Sequence, residues 1–402
     1  VLVHDFAGHP FQVQLARRLA RDGEQVVHAY CPSVQTPQGA VGGSDGSFTS
    51  RPVDLGRSFS KYSTVRRFVD EIDYGVRLAR LIIELRPRVV ISANTPLLAA
   101  AIVHLVLAVL RIPVVFWQQD VYSVALQQYL RPRARPIGPL LGAAFVRLER
   151  LLTRSSDHVV AISNDFVPIL RQWGVRPDRI TVIENWAPLD EVDVRSRPNP
   201  WSQRHGIGDE VVLLYAGTLG LKHDPSMLLA LARSFRGRAD VRVVVASEGM
   251  GADWLRENSQ PGELTLLPFQ DYVDLPDMLG SGDVLLVLLE PDAGVFSVPS
   301  KVLTYHCAGR PILGALPHDN LAARTIVGNG SGLVVEPGDR DGFVDAASML
   351  VDDAQRRRAM AAAARDYAER TFDIDRIAGE FDRILRDVSV GGRTIEPTEA
   401  TC

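Results

Sequence analysis

The chain has 402 residues, 46% of them hydrophobic and 23% charged, which implies two or three folded domains rather than one core or a disordered polymer. Its net charge of −4 excludes a surface built throughout for nucleic acid, and the dispersed Cys31, Cys307 and Cys402 form neither a disulfide framework nor a zinc spacing. No basic leader precedes the apolar Val1-Leu2-Val3, and no apolar run reaches the ~20 residues of a membrane span, so the expectation is a cytoplasmic protein without nucleic-acid partners.

In chain order, β-branched runs alternate with helical periodicity from the start. Strands are expected near Val1–His4, Gln25–Tyr30, Val89–Ser92, Val114–Trp117, His158–Ile162 and Ile180–Ile183. Helices are expected near Phe11–Arg21, Ser63–Arg86, Pro96–Leu110, Leu140–Arg154 and Asp165–Trp173. The apolar run Leu97 to Leu110 reads as a helix buried against a sheet. From Ala187 to Arg204 the rhythm stops in favour of three prolines and mixed charges, the pattern of an interdomain linker.

The second half restarts with strands expected at Val211–Tyr215, Val241–Ala246, Leu264–Leu267, Val284–Leu288, Ile312–Leu316 and Gly332–Val335. Helices fill the gaps near Pro225–Arg236, Asp271–Leu279, Ser300–Cys307, Asp341–Val351 and Ala354–Phe372. The fold class is therefore α/β, with two doubly wound Rossmann-like domains facing across a cleft. Residues 1–190 form the first domain, 191–205 the linker and 206–372 the second domain. A helix over 373–390 would cross back to the first domain, ahead of a disordered tail at 391–402.

Arginine supplies nearly all of the 44 basic residues, and only three are lysine. Two of the three, Lys222 and Lys301, fall in strand-to-helix loops of the second half, where a compact ammonium suits a phosphate. The loop Gly217-Thr218-Leu219-Gly220-Leu221-Lys222 lacks the spacing of a nucleotide-triphosphate loop, but its glycines would let backbone N–H groups approach an anion at the next helix. In the loop from Asp292 to Lys301, Ser300 reads as an N-cap. Lys301 then opposes its own helix dipole, which a bound phosphate would explain. In the first half, His4-Asp5-Phe6-Ala7-Gly8-His9 forms the corresponding loop, with Gly8 permitting close approach and Asp5 and His9 available to hydroxyls. Asp120, closing the run Trp117-Gln118-Gln119, should sit at the sheet edge that faces the cleft. The arginines from Arg131 to Arg135, with Arg147, Arg150 and Arg154, offer either a solvated basic face or a peripheral contact with anionic lipid. The pairs Asp339/Asp341 and Asp373/Asp375 read as helix caps, and no metal site is expected.

The segments His4 to Phe11, Trp117 to Asp120, Glu184-Asn185-Trp186-Ala187-Pro188, Gly217 to Lys222, Pro299-Ser300-Lys301, Ala308-Gly309-Arg310-Pro311 and Val334 to Asp339 together resemble the family-four glycosyltransferases of the GT-B fold. The likeness is nearest to the bacterial exopolysaccharide type of colanic-acid biosynthesis, and it covers nearly the whole chain. It implies a retaining, metal-independent, hexosyl-type transfer without a cofactor, from a nucleotide-diphosphate sugar to a hydroxyl on a glycan or lipid-linked acceptor. By position, Lys222 and Lys301 would hold the diphosphate, with Gly217, Thr218, Leu219, Gly220, Gly294, Val295, Phe296, Ser297 and Ser300 along the donor and Gly8 facing it. His9 and Asp120 would stand near the acceptor. Where the family carries two glutamates eight positions apart, this chain has Phe296 and Thr304, so Thr304 and Glu290 are the candidates for the ribose. A nucleotide-sugar epimerase and a non-catalytic nucleotide-sugar-binding subunit are the rival readings. An epimer formed from donor alone marks the first, and donor binding without hydrolysis marks the second.

Overall fold

A computed structural model of the chain describes residues 1–34, 43–57, 64–124, 126–127, 138–220, 223–291 and 298–391. The expectations for Arg131, Arg133, Arg135, Lys222, Gly294, Val295, Phe296, Ser297 and the tail after Gly391 lie outside the described residues. The chain divides into two compact units.

The first unit takes in Val1–Glu184 and the chain from Ile374 onward. Its elements are β1 (Leu2–Asp5), α1 (Pro10–Arg21), β2 (Val26–Tyr30), β3 (Ser44–Asp45), β4 (Phe48–Pro52), α2 (Thr64–Leu85), β5 (Val90–Ala93), α3 (Leu97–Leu110), β6 (Val114–Gln118), α4 (Gly138–Ser155), β7 (His158–Ala161), α5 (Val167–Gln172) and β8 (Ile180–Val182). They build an eight-stranded sheet in the order β3-β4-β2-β1-β5-β6-β7-β8, parallel throughout except for the β3–β4 pair. Parallel strands covered on both faces are buried along their whole length, as β1 and β5 are, with His4, Asp5 and Ser92 buried among the apolar residues.

Helices α2 and α3 close one face around Leu2, Tyr74, Leu78, Ile82, Val90 and Val103. Helix α1 buries Phe11, Leu15 and Leu19. The last helix, Ile374–Gly391, packs beside it, with Phe381 against the Trp117 ring at 4.7 Å and Asp375 ion-paired to Arg18.

Two expectations for this unit change. The strands β3 and β4 escaped the sequence pattern, because Phe48-Thr49-Ser50-Arg51-Pro52 has no apolar run; pairing with β2 makes it a strand. Helix α3 is not wholly buried either, since Leu105 and Val109 are 68% and 74% exposed.

The second unit spans Asn185–Asp373. It holds α6 (Pro200–Arg204), β9 (Val211–Ala216), α7 (Pro225–Ser234), β10 (Val241–Ala246), α8 (Met250–Asn258), β11 (Thr265–Leu267), α9 (Leu275–Ser281), β12 (Val284–Leu288), α10 (Lys301–Cys307), β13 (Ile312–Ala315), α11 (Leu321–Gly328), β14 (Gly332–Val335), α12 (Arg340–Asp352) and α13 (Ala354–Thr371). Six parallel strands run in the order β11-β10-β9-β12-β13-β14, over a core that includes Leu213, Leu228, Val245, Leu286 and Phe343. Helices α8 and α11 were not expected, being short and glycine-bearing at their ends.

The segment 187–204, expected as a linker, is packed into this unit. Trp186 and Trp201 are buried, Asn199 and Ser202 form a reciprocal capping box, and Arg197 pairs with Asp283 beneath the sheet. Its prolines and charges serve caps and ion pairs. Asp339 caps α12 by accepting from the Gly342 N–H, as its sequence position implied.

Candidate active site

In an open parallel sheet, ligands meet the carboxyl ends of strands where the chain order reverses. In the second unit that place lies between β9 and β12, on either side of which the chain runs to β10 and to β13. Two loops end there, one leaving β9 at Gly217 and one returning to α10 at Lys301.

The Lys301 stem is partly exposed, whereas its Nζ is buried and has no hydrogen-bond partner among the described residues. The ammonium lies 3.7 Å from the centroid of the Tyr215 ring. A Cβ added at Gly217 would stand 3.2 Å from Nζ, and Gly217 has φ 120°, so both the neighbour and the backbone require glycine there. Desolvation lowers the Lys301 pKa from 10.5 to about 7. A buried cation without a counter-charge is an unfavourable arrangement that an anion would relieve.

The surrounding backbone departs from expectation. The Gly217 N–H donates to Ala246 O at 3.0 Å, the Leu219 N–H to Glu248 O at 3.1 Å and the Gly220 N–H to His223 Nδ1 at 3.1 Å. Those donors are spent on the end of β10, the segment after it and His223, and Leu219 is a fully buried core residue, so Leu219 is withdrawn as a donor contact. The start of α7 is capped by Asp224, which accepts from the Ser226 N–H, so the helix end expected to draw the anion already faces a carboxylate. Ser300 has helical φ/ψ and makes no side-chain cap. With seven residues, α10 is also too short for a dipole argument about Lys301. Thr218 and Ser300 are exposed beside these loops, Thr304 lies on α10 and Glu290 follows β12, the last two partly exposed.

The first unit reverses its strand order between β1 and β5, and there the partners are abundant. Asp5 ends β1 with no exposed surface and accepts from the Ala7 N–H at 3.2 Å, the His9 N–H, the His9 ring Nδ1 at 3.1 Å and Asn94 Nδ2 at 3.0 Å. Burial alone would raise its pKa, yet the His9 charge and these donors hold it at about 2. Burial likewise opposes charge on His9, but Asp5 overcomes it and raises the His9 pKa.

With Nδ1 turned to the carboxylate, Nε2 is the nitrogen His9 presents elsewhere. Gly8, at φ 71°, is buried and donates its N–H to Asp5 O at 3.2 Å. The expected donor contact through Gly8 is therefore withdrawn, because Asp5 gathers the loop's amides. Asn94 adopts φ 52°, a left-handed conformation that costs a non-glycine residue energy and brings its amide to Asp5.

A cavity of about 210 Å³ opens beside this cluster, lined by Arg67, Asn94, Trp117, Asp120, Tyr122 and Glu149 among others. Asp120 is exposed at its wall. Glu149 is buried and accepts from Gln118 Nε2 at 2.8 Å and the Ser123 N–H at 2.8 Å, while burial raises its pKa. Arg67 stacks on the Tyr122 ring at 5.5 Å and pairs with Glu71 at 3.0 Å. Sequence reasoning missed Asn94, Arg67 and Glu149. The signal for Asn94 was its position directly after a buried strand, whereas Arg67 and Glu149 lie on helices and gave none.

Residues 9–186 match the glycosyl transferase 4-like domain. Among curated proteins, the putative colanic acid biosynthesis glycosyl transferase WcaI of Escherichia coli (strain K12) is 23% identical over 249 residues, 59% of either chain. Alpha-D-kanosaminyltransferase of Streptomyces kanamyceticus is 23% identical over 213 residues, 50% of this chain and 52% of that protein. The matched stretches thus span little more than half of these relatives. Among solved structures, Anabaena Alr3699/HepE in complex with UDP and glucose superposes with a TM-score of 0.68 at 15% identity, over 96% of this chain and 99% of that one.

Proposed function

We propose that the chain, whose residues 9–186 match the glycosyl transferase 4-like domain, is a glycosyltransferase of the family-four type that transfers a sugar from a nucleoside diphosphate to a hydroxyl acceptor in bacterial polysaccharide or glycolipid assembly. The observation that carries this reading is the buried Lys301 ammonium, without a hydrogen-bond partner among the described residues, at the strand-order reversal of the second sheet. Pyrophosphate is the anion a nucleotide sugar would bring there, and Alr3699/HepE was solved with UDP. Lys222 joins Lys301 in this proposal on sequence position.

The proposed transfer is retaining and metal-independent. The bond from the anomeric carbon to the diphosphate oxygen breaks, the acceptor oxygen bonds on the same face, and the departing phosphate oxygen takes the acceptor's proton. Negative charge grows on the diphosphate, so a fixed ammonium lowers the barrier without reorganising. A unit pair at ~4 Å and an effective dielectric of ~20 interacts by roughly 4 kcal/mol. In the first unit, His9, Asn94 and Asp120 are assigned to the acceptor hydroxyls, and the 210 Å³ cavity to the acceptor's body.

A cytoplasmic site at the inner membrane face completes the proposal. The outward residues of α4 are Leu140, Leu141, Ala144, Arg147, Arg150, Leu151 and Arg154, and the helix's one acidic residue, Glu149, points inward. Leucines for the acyl boundary and arginines for anionic headgroups suit such a surface. The decisive experiment is turnover of a panel of nucleotide sugars by wild type, Lys301→Ala and Lys222→Ala. Unchanged turnover in both variants rejects the reading.

A further inference from the structure

Lys301 and the β9 loop belong to different segments, and one side chain touches both. Tyr215, fully buried, is the penultimate residue of β9. Its ring carries the Lys301 ammonium at 3.7 Å, its hydroxyl donates to Thr218 O at 2.9 Å, and the His223 ring stands edge-on to it at 6.5 Å. His223 in turn accepts from the Gly220 N–H, so Thr218 directly and Gly220 through His223 are both tied back to this one ring.

The arrangement is braced from below. The hydroxyl of Tyr305, one turn after Lys301 on α10, accepts from the Ala216 N–H at 3.2 Å and shares its one proton between Ala216 O at 3.1 Å and Leu286 O at 3.3 Å. Helix α10 therefore grips the end of β9 at two successive turns, with Tyr305 on the backbone of Ala216 and Lys301 over Tyr215.

We infer that Tyr215 is the positioning residue of the diphosphate site, holding the Lys301 ammonium on its ring face and the exposed Thr218 of the loop through its hydroxyl, so that the ammonium and Thr218 meet one anion. A cation over an aromatic face is attracted by the ring quadrupole without being neutralised, so its charge stays available to a ligand. A carboxylate in the same position would consume that charge. The ring also favours the ammonium over the free amine, limiting the proton loss that burial drives. The inference rests on the diphosphate reading of this site.

The test is calorimetric binding of inorganic pyrophosphate and of UDP to the full chain across pH, for wild type, Tyr215→Phe, Tyr215→Met, Lys301→Met and the double variant Tyr215→Met/Lys301→Met. Tyr215→Phe keeps the ring and frees the loop, so UDP should bind about threefold more weakly with an unmoved pH profile. Tyr215→Met keeps volume but removes the quadrupole; pyrophosphate should bind about tenfold more weakly, and the fall of affinity with rising pH should start at lower pH. In the double variant, the Tyr215→Met effect on pyrophosphate should largely vanish.

Full additivity, or wild-type pH profiles in both Tyr215 variants, overturns the inference while leaving the lysine's role intact. Wild-type binding by Lys301→Met overturns the site reading itself. Should Tyr215→Met not fold, wild-type UDP affinity in Tyr215→Phe suffices to overturn the inference.

Discussion

The two sheets reverse strand order in the same way, yet the ionisable group at each reversal is treated in opposite fashion. Asp5 in the first unit is a buried anion with four donors around it, and Lys301 in the second is a buried cation with an aromatic face and no acceptor among the described residues. A buried charge is tolerable when partnered and costly when not. Asp5 is thus part of the framework, organising a loop and the His9 ring, whereas Lys301 meets no counter-charge among the described residues. Burial alone would not have separated the two; the count of partners does.

The contrast breaks most visibly by removing each charge in turn. Asp5→Ala strands two loop N–H groups and the Asn94 amide in a buried place, and should cost about 3–5 kcal/mol of stability in denaturant unfolding of the first unit. Lys301→Met removes an unpaired charge, so the same measurement on the second unit should show no loss, or a gain. A large loss there would mean that Lys301 has a structural partner, and the comparison would collapse.

Function should show the reverse order of sensitivity. Lys301→Ala is expected to lower turnover by about 10²-fold or more with the fold intact, because an interaction that strengthens as the leaving diphosphate gathers charge is lost. Asp5→Asn keeps the carbonyl acceptor while abolishing the charge that raises the His9 pKa. Its effect should be smaller, about tenfold, and should appear with the acceptor saturating poorly rather than the donor.

The pH response sharpens the comparison further. In the free protein Lys301 loses its proton near pH 7, so pyrophosphate affinity should fall by up to about tenfold per unit as pH rises past that point. Binding above pH 7 should draw a proton from buffer, detectable by repeating calorimetry in buffers of different ionisation enthalpy. Without ligand the sign for stability is opposite to that of a paired lysine. Between about 7 and 10.5 the unfolded chain holds the proton that the folded chain has released, so the Lys301 contribution to stability rises with pH. Asp5, at about 2, contributes stability that is present above the ordinary carboxylate range and is lost as pH falls toward 2.

Much of this is legible in the sequence. Parallel strands buried on both faces announce themselves as apolar runs, and the rarity of lysine drew attention to Lys301. What stayed hidden was assigned by partners distant in sequence. Phe48–Pro52 is a strand only because β2 offers it an edge, and 187–204 is packed rather than free because Asp283 and the Tyr272 region receive it. The glycine loop looked like an anion cradle, but its N–H groups answer to Ala246, Glu248 and His223, which no local motif reveals. Asn94 acquires its role from Asp5, eighty-nine residues earlier.

The smallest expected effect concerns the outer face of α4, where the first unit departs from the second in displaying leucine and arginine together. Leu140 and Leu151 are 69% and 62% exposed, an arrangement that costs solvation unless something apolar covers it. If anionic lipid is the cover, the full chain should sediment with phosphatidylglycerol vesicles more than with phosphatidylcholine vesicles, and added salt should weaken the difference. Arg147→Glu together with Leu151→Ser should reduce that binding several-fold without altering pyrophosphate affinity at Lys301. A second copy of the chain as the cover would instead appear as a dimer in sedimentation that the same pair of substitutions splits, with equal and weak recovery on both vesicle types. The two outcomes differ in the one feature that apolar area cannot supply, which is the sign of the charge facing the arginines.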